Sequence, residues 1–112
     1  MKKLHTSQIQ ETVVHGGAKR KLLIAKDQGH SSSHLQTMND AHLEPGETFE
    51  PHAHADSEEI FYFLEGYGEM TVDGETFDIT PGGVIVIEKD EQHSVKNTGE
   101  ETLRFITVRV LH

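Results

Sequence analysis

The chain has 112 residues, a formal net charge of -9 and no cysteine. That length suits one domain with a modest core. The acidic balance speaks against nucleic acid and against an anionic membrane surface, both of which need Lys and Arg. Disulfides and thiolate metal ligands are excluded. The opening Met1-Lys2-Lys3-Leu4-His5 has no apolar run behind its lysines, so no signal peptide is expected and the default location is cytoplasmic. No run of residues approaches the length of a membrane span.

In chain order, residues 1–19 read as a loosely ordered lead-in with one short strand near 10–14, closed by a Gly16-Gly17 turn. Residues 20–25 read as a strand, 27–33 as a polar loop, and 35–43 as a second long strand ending in the turn Glu44-Pro45-Gly46. Short apolar runs and turn signals then alternate, predicting strands at 48–53, 59–64, 68–72, 75–79, 84–87, 92–97 and 103–111. Asp73-Gly74 is a two-residue hairpin signal. No long stretch has a 3.6-residue apolar period, so the pattern is an all-β sandwich or barrel. Residues 1–34 are expected to be an N-terminal lead-in that covers the barrel or is exchanged with a partner subunit, and residues 35–112 the barrel.

Two strands break the alternation of a solvated sheet. Ile60-Phe61-Tyr62-Phe63-Leu64 and Val84-Ile85-Val86-Ile87 are apolar on both faces. Something must cover their outer sides, either the lead-in strands or a second subunit, and a homodimer is the expectation.

The stretch from Gly46 to Gly66 carries the chemistry. His52 and His54 lie two residues apart, so on a strand both imidazoles face one way. Glu59 can reach the same point from the next strand, and His93 supplies a third imidazole. Three imidazoles and a carboxylate suit a mononuclear site for Mn, Fe, Co, Ni, Cu or Zn. Glu58 is the rival carboxylate, and strand parity alone decides between them only if the turn is known. Tyr62, Glu50 and Glu88 are the acid–base candidates nearby in sequence. Glu50 shares strand parity with His52, and Phe61 and Phe63 share parity with Glu59 and are expected at the pocket floor. The remaining six of the nine histidines are scattered and read as surface or hydrogen-bonded residues.

The pattern resembles the cupin superfamily, in its small single-domain form. Gly46, His52, His54, Glu59 and Gly66 match that family's first motif without a gap, and Gly82, His93 and Asn97 match the second. The second motif's Pro-x-Gly step is replaced by Glu88-Lys89-Asp90. The resemblance spans roughly residues 35–111. It implies a double-stranded β-helix, a jelly-roll barrel, with one divalent transition metal held by His52, His54, Glu59 and His93; Mn or Fe is the leading expectation. It further implies a small polar or anionic ligand. The expected activity is dioxygenase or decarboxylase chemistry on a small carboxylate or keto acid. The alternatives are isomerase, epimerase or lyase chemistry on a sugar or sugar acid, or a metal- and ligand-binding barrel without turnover.

Overall fold

A computed structural model describes all residues, 1–112. Ten strands form two antiparallel sheets. They are β1 (Glu11–Val13), β2 (Lys19–Ile24), β3 (Leu35–Leu43), β4 (Thr48–His52), β5 (Ser57–Glu65), β6 (Gly68–Val72), β7 (Glu75–Ile79), β8 (Val84–Ile87), β9 (His93–Lys96) and β10 (Leu103–Leu111). The larger sheet has the order β1-β2-β3-β10-β5-β8, and the smaller β4-β9-β6-β7. The architecture is the jelly-roll double-stranded β-helix that the resemblance implies, one form of the all-β sandwich or barrel expected from the short, evenly spaced strands. One 3-10 turn, Thr6–Gln8, precedes β1 and was not expected from the pattern.

The three central strands of the large sheet share one design. Alternate residues face inward, and their chemistry changes along the strand. On β10 the inward series is Leu103, Phe105, Thr107, Arg109; on β5 it is Phe63, Phe61, Glu59, Ser57; on β3 it is Leu43, Ala41, Asn39, Thr37. Register aligns these series. Phe105 pairs with Ala41 and Phe63, and Arg109 pairs with Thr37 and Glu59. The barrel therefore has an apolar end and a polar end. At the apolar end Phe61, Phe63, Phe105, Leu43, Met70 and Leu103 are wholly buried. Each such side chain contributes on the order of 1.5–3 kcal/mol through burial.

Local chemistry fixes the corners. Gly66 has φ +83°, and a Cβ there would lie 2.3 Å from the Thr102 carbonyl oxygen, so glycine is required on two counts. Asn97 is buried; its amide donates to the Leu43 and Glu101 carbonyls at 2.8 Å each, tying the turn after β3 to the turn before β10. Asp90 stands where the expected motif has glycine and adopts φ +68°. Asp tolerates this left-handed region better than most residues, so the turn keeps its shape without glycine.

The outer side of the large sheet is the other departure from an ordinary solvated surface. Ile60, Tyr62, Val84 and Val86 are 38–63% exposed and pair across β5 and β8 as Ile60–Val86 and Tyr62–Val84. β1 and β2 extend the opposite edge of the same sheet, beyond β3, and leave this patch open.

Candidate metal centre

His52 is the last residue of β4 and pairs in register with His93, the first residue of β9. Glu59 comes from β5 in the other sheet, so the cluster bridges the mouth between the two sheets. β4 ends at His52, one residue short of the expected strand to residue 53, and His54 lies in the loop beyond it. Its carbonyl is held instead by the Asp90 amide at 2.8 Å. The departing turn at Glu88–Asp90 thus supports the loop that carries His54.

One ligand atom from each of His52, His54, Glu59 and His93 lies within 4.8 Å of all the others. The three Nε2 atoms stand 3.7, 3.6 and 3.0 Å from Glu59 Oε1, in that chain order. Burial pushes the Glu59 carboxyl upward, but the three imidazoles around it, with His93 at hydrogen-bond distance, outweigh it and hold the group well below the usual carboxylate range. For His52, desolvation acts to lower the pKa, yet the Glu59 carboxylate and the Glu50 carbonyl together raise it.

Backbone carbonyls orient two of the rings. His52 Nδ1–H donates to the Glu50 carbonyl at 2.9 Å, and His93 Nδ1–H donates to the Glu91 carbonyl at 3.0 Å. Both leave Nε2 aimed at the cluster centre. His54 Nε2 is buried and has no hydrogen-bond partner. A buried orphan nitrogen in a set of three imidazoles and one carboxylate fits a divalent transition metal.

A cavity of about 600 Å³ opens beside the cluster. Among its walls are Arg20, Thr37, Asn39, Thr107 and Arg109, with Glu50 at the rim. Both arginines belong to strands far from the His-x-His stretch in sequence, and neither was singled out there. A signal existed: Leu103, Phe105, Thr107 and Arg109 share one face of a single strand, so an inward Leu103 carries Arg109 inward with it.

The acid–base candidates fare differently. Tyr62 alternates with buried Phe61 and Phe63, so it faces the outside of the sheet, away from the site. Glu88 lies exposed in the turn before β9. Glu50 reaches the cavity rim but does not point inward beside His52, because β4 slips register between Phe49 and His52. The irregularity turns both Phe49 and His52 inward and displaces Glu50. Phe61 and Phe63 support the site from below as packed core: Phe61 meets the His93 ring edge-on at 5.6 Å, and neither lines the cavity. Glu58 turns outward to His112 at 3.5 Å, leaving Glu59 as the carboxylate of the cluster.

Relatives share this framework. The chain is 33% identical over 89 residues to the oxalate-binding protein of Thermotoga maritima, covering 80% of this chain and 72% of that one. It is 34% identical over 99 residues to the polyketide synthase CurC of Streptomyces cyaneus, covering 88% of this chain. The chain spans 62% of the length of CurC and 57% of a matching uncharacterized protein of Methanocaldococcus jannaschii. Among solved structures, a predicted oxalate decarboxylase of Thermotoga maritima superposes with a TM-score of 0.84 at 26% identity, covering 99% of this chain and 100% of that chain. The polyketide cyclase RemF of Streptomyces resistomycificus does so with 0.80 at 26% identity, covering 98% and 79%. The family model for the cupin domain matches residues 39–109, which hold the four clustered side chains together with Asn39, Thr107 and Arg109; this chain belongs to the cupin family.

Proposed function

We propose that this protein is a metal-dependent cupin that captures a small carboxylate, such as oxalate or a keto acid, and turns it over by decarboxylase or dioxygenase chemistry. The observation that carries the reading is the junction of two features. A three-imidazole, one-carboxylate cluster opens directly onto a cavity containing two guanidiniums, Arg20 and Arg109. Guanidinium groups carry permanent charge and pair with carboxylates in a bidentate way, which explains how an acidic chain accepts an anion. The relative named as oxalate-binding supports the same ligand class.

A divalent cation, Mn or Fe(II) for preference, would be held by His52, His54, Glu59 and His93 and would act as a Lewis acid or redox centre toward a bound carboxylate. The chain's own groups do the rest. Glu50 O and Glu91 O keep His52 and His93 in the tautomer that presents Nε2. Thr107 and Asn39 offer neutral polar contacts, while the aromatic core below excludes water from the cluster's inner side.

A second reading, binding without turnover, is favoured by one observation. Two guanidiniums, Arg20 and Arg109, line the cavity beside the cluster and hold anions without exchanging protons near neutral pH, and the other titratable side chains on its wall, His15 and Glu50, are exposed. Elemental analysis after anaerobic purification, followed by a panel of small carboxylates and sugar acids monitored by thermal shift and product release, decides between the readings. Carboxylate-specific stabilisation with product supports turnover. Stabilisation without product supports the binding reading, and protein that takes up no divalent metal removes both.

The assembly proposed with it is a homodimer. The apolar patch of Ile60, Tyr62, Val84 and Val86 sits at the open β8 edge with no charged group among its four members, and a second copy related by two-fold symmetry buries the same patch on both sides.

A further inference from the structure

The cavity is longer than the smallest anion its guanidiniums could hold. Strand register measures it. Glu59 on β5 pairs with Arg109 on β10, and Arg109 pairs with Thr37 on β3. One inward row toward the closed end, Thr107 pairs with Asn39, and Asn39 pairs with Leu22 on β2. Leu22 therefore stands three strands from the strand that carries Glu59, roughly 14 Å along the sheet. Oxalate, two carboxylates joined by one bond, is shorter than the ~4.8 Å between neighbouring strands. A volume of about 600 Å³ likewise suits a larger molecule.

The wall changes character along this length. Arg109, Thr107 and Asn39 line it on the large sheet near the cluster, and farther out Leu22 and Val14 make it apolar. Phe49 faces them from the smaller sheet, its ring 4.9 Å from that of His52, so the apolar wall starts beside the cluster. Val14 and Phe49 pack partly on the core. Leu22 lines the cavity and is still 44% exposed, so much of its apolar surface is left for a ligand to cover. A clamp fixes the two sides of this wall. Thr48 N–H donates to the Gly16 carbonyl at 2.9 Å, and Gly16 has φ +88° with no room for a Cβ against the Thr48 carbonyl. The lead-in that carries Val14 and Leu22 lies outside residues 39–109, the span of the shared cupin framework.

We infer that the ligand is a carboxylate or keto acid with an apolar body of aromatic-ring size. Its head lies at Arg109 beside the four-residue cluster, its body lies on Leu22, Val14 and Phe49, and the lead-in sets the specificity. This inference rests on the carboxylate reading above and narrows it away from oxalate. Arg20, which lines the same cavity from β2, suits such a body, because a guanidinium plane stacks on an aromatic ring. Covering the apolar wall adds affinity for the body and none for the head, so it separates ligands that share a head.

Phenylpyruvate and pyruvate are such a pair. Calorimetric titration of Mn(II)-loaded protein without oxygen compares them, with oxalate alongside. Expected is phenylpyruvate binding tighter than pyruvate by on the order of tenfold or more. Leu22→Asn keeps the size and charge of the side chain at an exposed position. It should weaken phenylpyruvate by on the order of tenfold and leave pyruvate unchanged. Leu22→Met, which keeps the apolar surface, should retain the preference. Pyruvate binding as tightly as phenylpyruvate overturns the inference and leaves the carboxylate reading standing, as does oxalate binding with neither keto acid bound. A phenylpyruvate preference that survives Leu22→Asn unchanged removes the lead-in as its source. Binding of none of the three anions overturns the carboxylate reading itself.

Discussion

The two ends of the barrel are built from the same strands but from opposite chemistry. β3, β5 and β10 each begin apolar at one end and finish polar at the other. At the closed end, phenylalanines and leucines pack with no exposure. At the open end, Glu59, Thr107 and Asn39 are nearly as deeply buried, yet two buried atoms there, His54 Nε2 and Asn39 Oδ1, have no hydrogen-bond partner. Burial of that kind destabilises unless a partner arrives. The comparison teaches a division of labour. The closed end supplies folding free energy, and the open end spends part of it to hold polar groups ready for a metal and an anion.

The sharpest way to break this division is at the junction. Phe61 is wholly buried, stacks on Phe63 and touches the His93 ring. Phe61→Ala should cost about 3–5 kcal/mol of stability, from lost transfer free energy and the cavity left behind. Chemical denaturation of the metal-free protein measures it. A loss below about 1 kcal/mol would mean that the closed end does not carry the fold.

The open end is tested by the converse change. His52→Ala combined with His54→Ala should abolish metal binding and leave a folded β-barrel. Wild type at a free metal concentration of 1,000 times Kd gains about 4 kcal/mol from binding, and the double variant should gain none. Circular dichroism and melting with and without metal check both halves of the expectation. Wild-type metal content in the double variant removes His52 and His54 from the site.

A third contrast lies between the inner and outer faces of β5. Phe61 and Phe63 face the core, while Ile60 and Tyr62 face out beside Val86 and Val84. Val84→Glu places a charge in the middle of the proposed dimer surface. Sedimentation should show wild type as a dimer at micromolar concentration and the variant as a monomer that still binds metal. Wild type sedimenting as a monomer rules the dimer out.

The fold was readable from the sequence because turn chemistry and period-2 patterning agree along most of the chain. The strands expected at 35–43, 68–72, 75–79, 84–87 and 103–111 have those bounds in the structure. The four clustered side chains were readable from their motif spacing and not from strand parity alone, since His54 lies beyond the end of β4 and His93 comes from β9. Glu50 misled, because one register slip in β4 reverses parity and nothing in Thr48-Phe49-Glu50-Pro51 quantifies a bulge in advance, although Pro51 hints at one. Tyr62 is near the site in sequence, but its parity is opposite to that of Glu59, Phe61 and Phe63, which turns it outward. Arg20 and Arg109 stayed hidden since a cavity wall is assembled from strands whose pairing order is long-range; only β10's own alternation pointed to Arg109.

The smallest expected effect concerns how the lead-in is fastened to the closed end. Glu47, in the turn after β3, accepts the Glu44 amide at 2.7 Å and the Lys19 ammonium at 3.0 Å, and Lys19 begins β2. The Glu44 N–H, followed by Lys19, holds the Glu47 carboxyl below its ordinary 4.5. A depressed folded-state value means that Glu47 contributes stability above the unfolded-state pKa and loses it as pH falls through the folded-state pKa. Glu47→Gln should therefore lower stability by roughly 0.5–1 kcal/mol at neutral pH after solvent screening. The gap between variant and wild type should narrow as pH drops below about 4.5. Paired denaturation curves across that range measure the gap. A gap that instead widens in acid would assign the Glu47 contribution to shape rather than charge, and the lead-in would then be held to the closed end by packing alone.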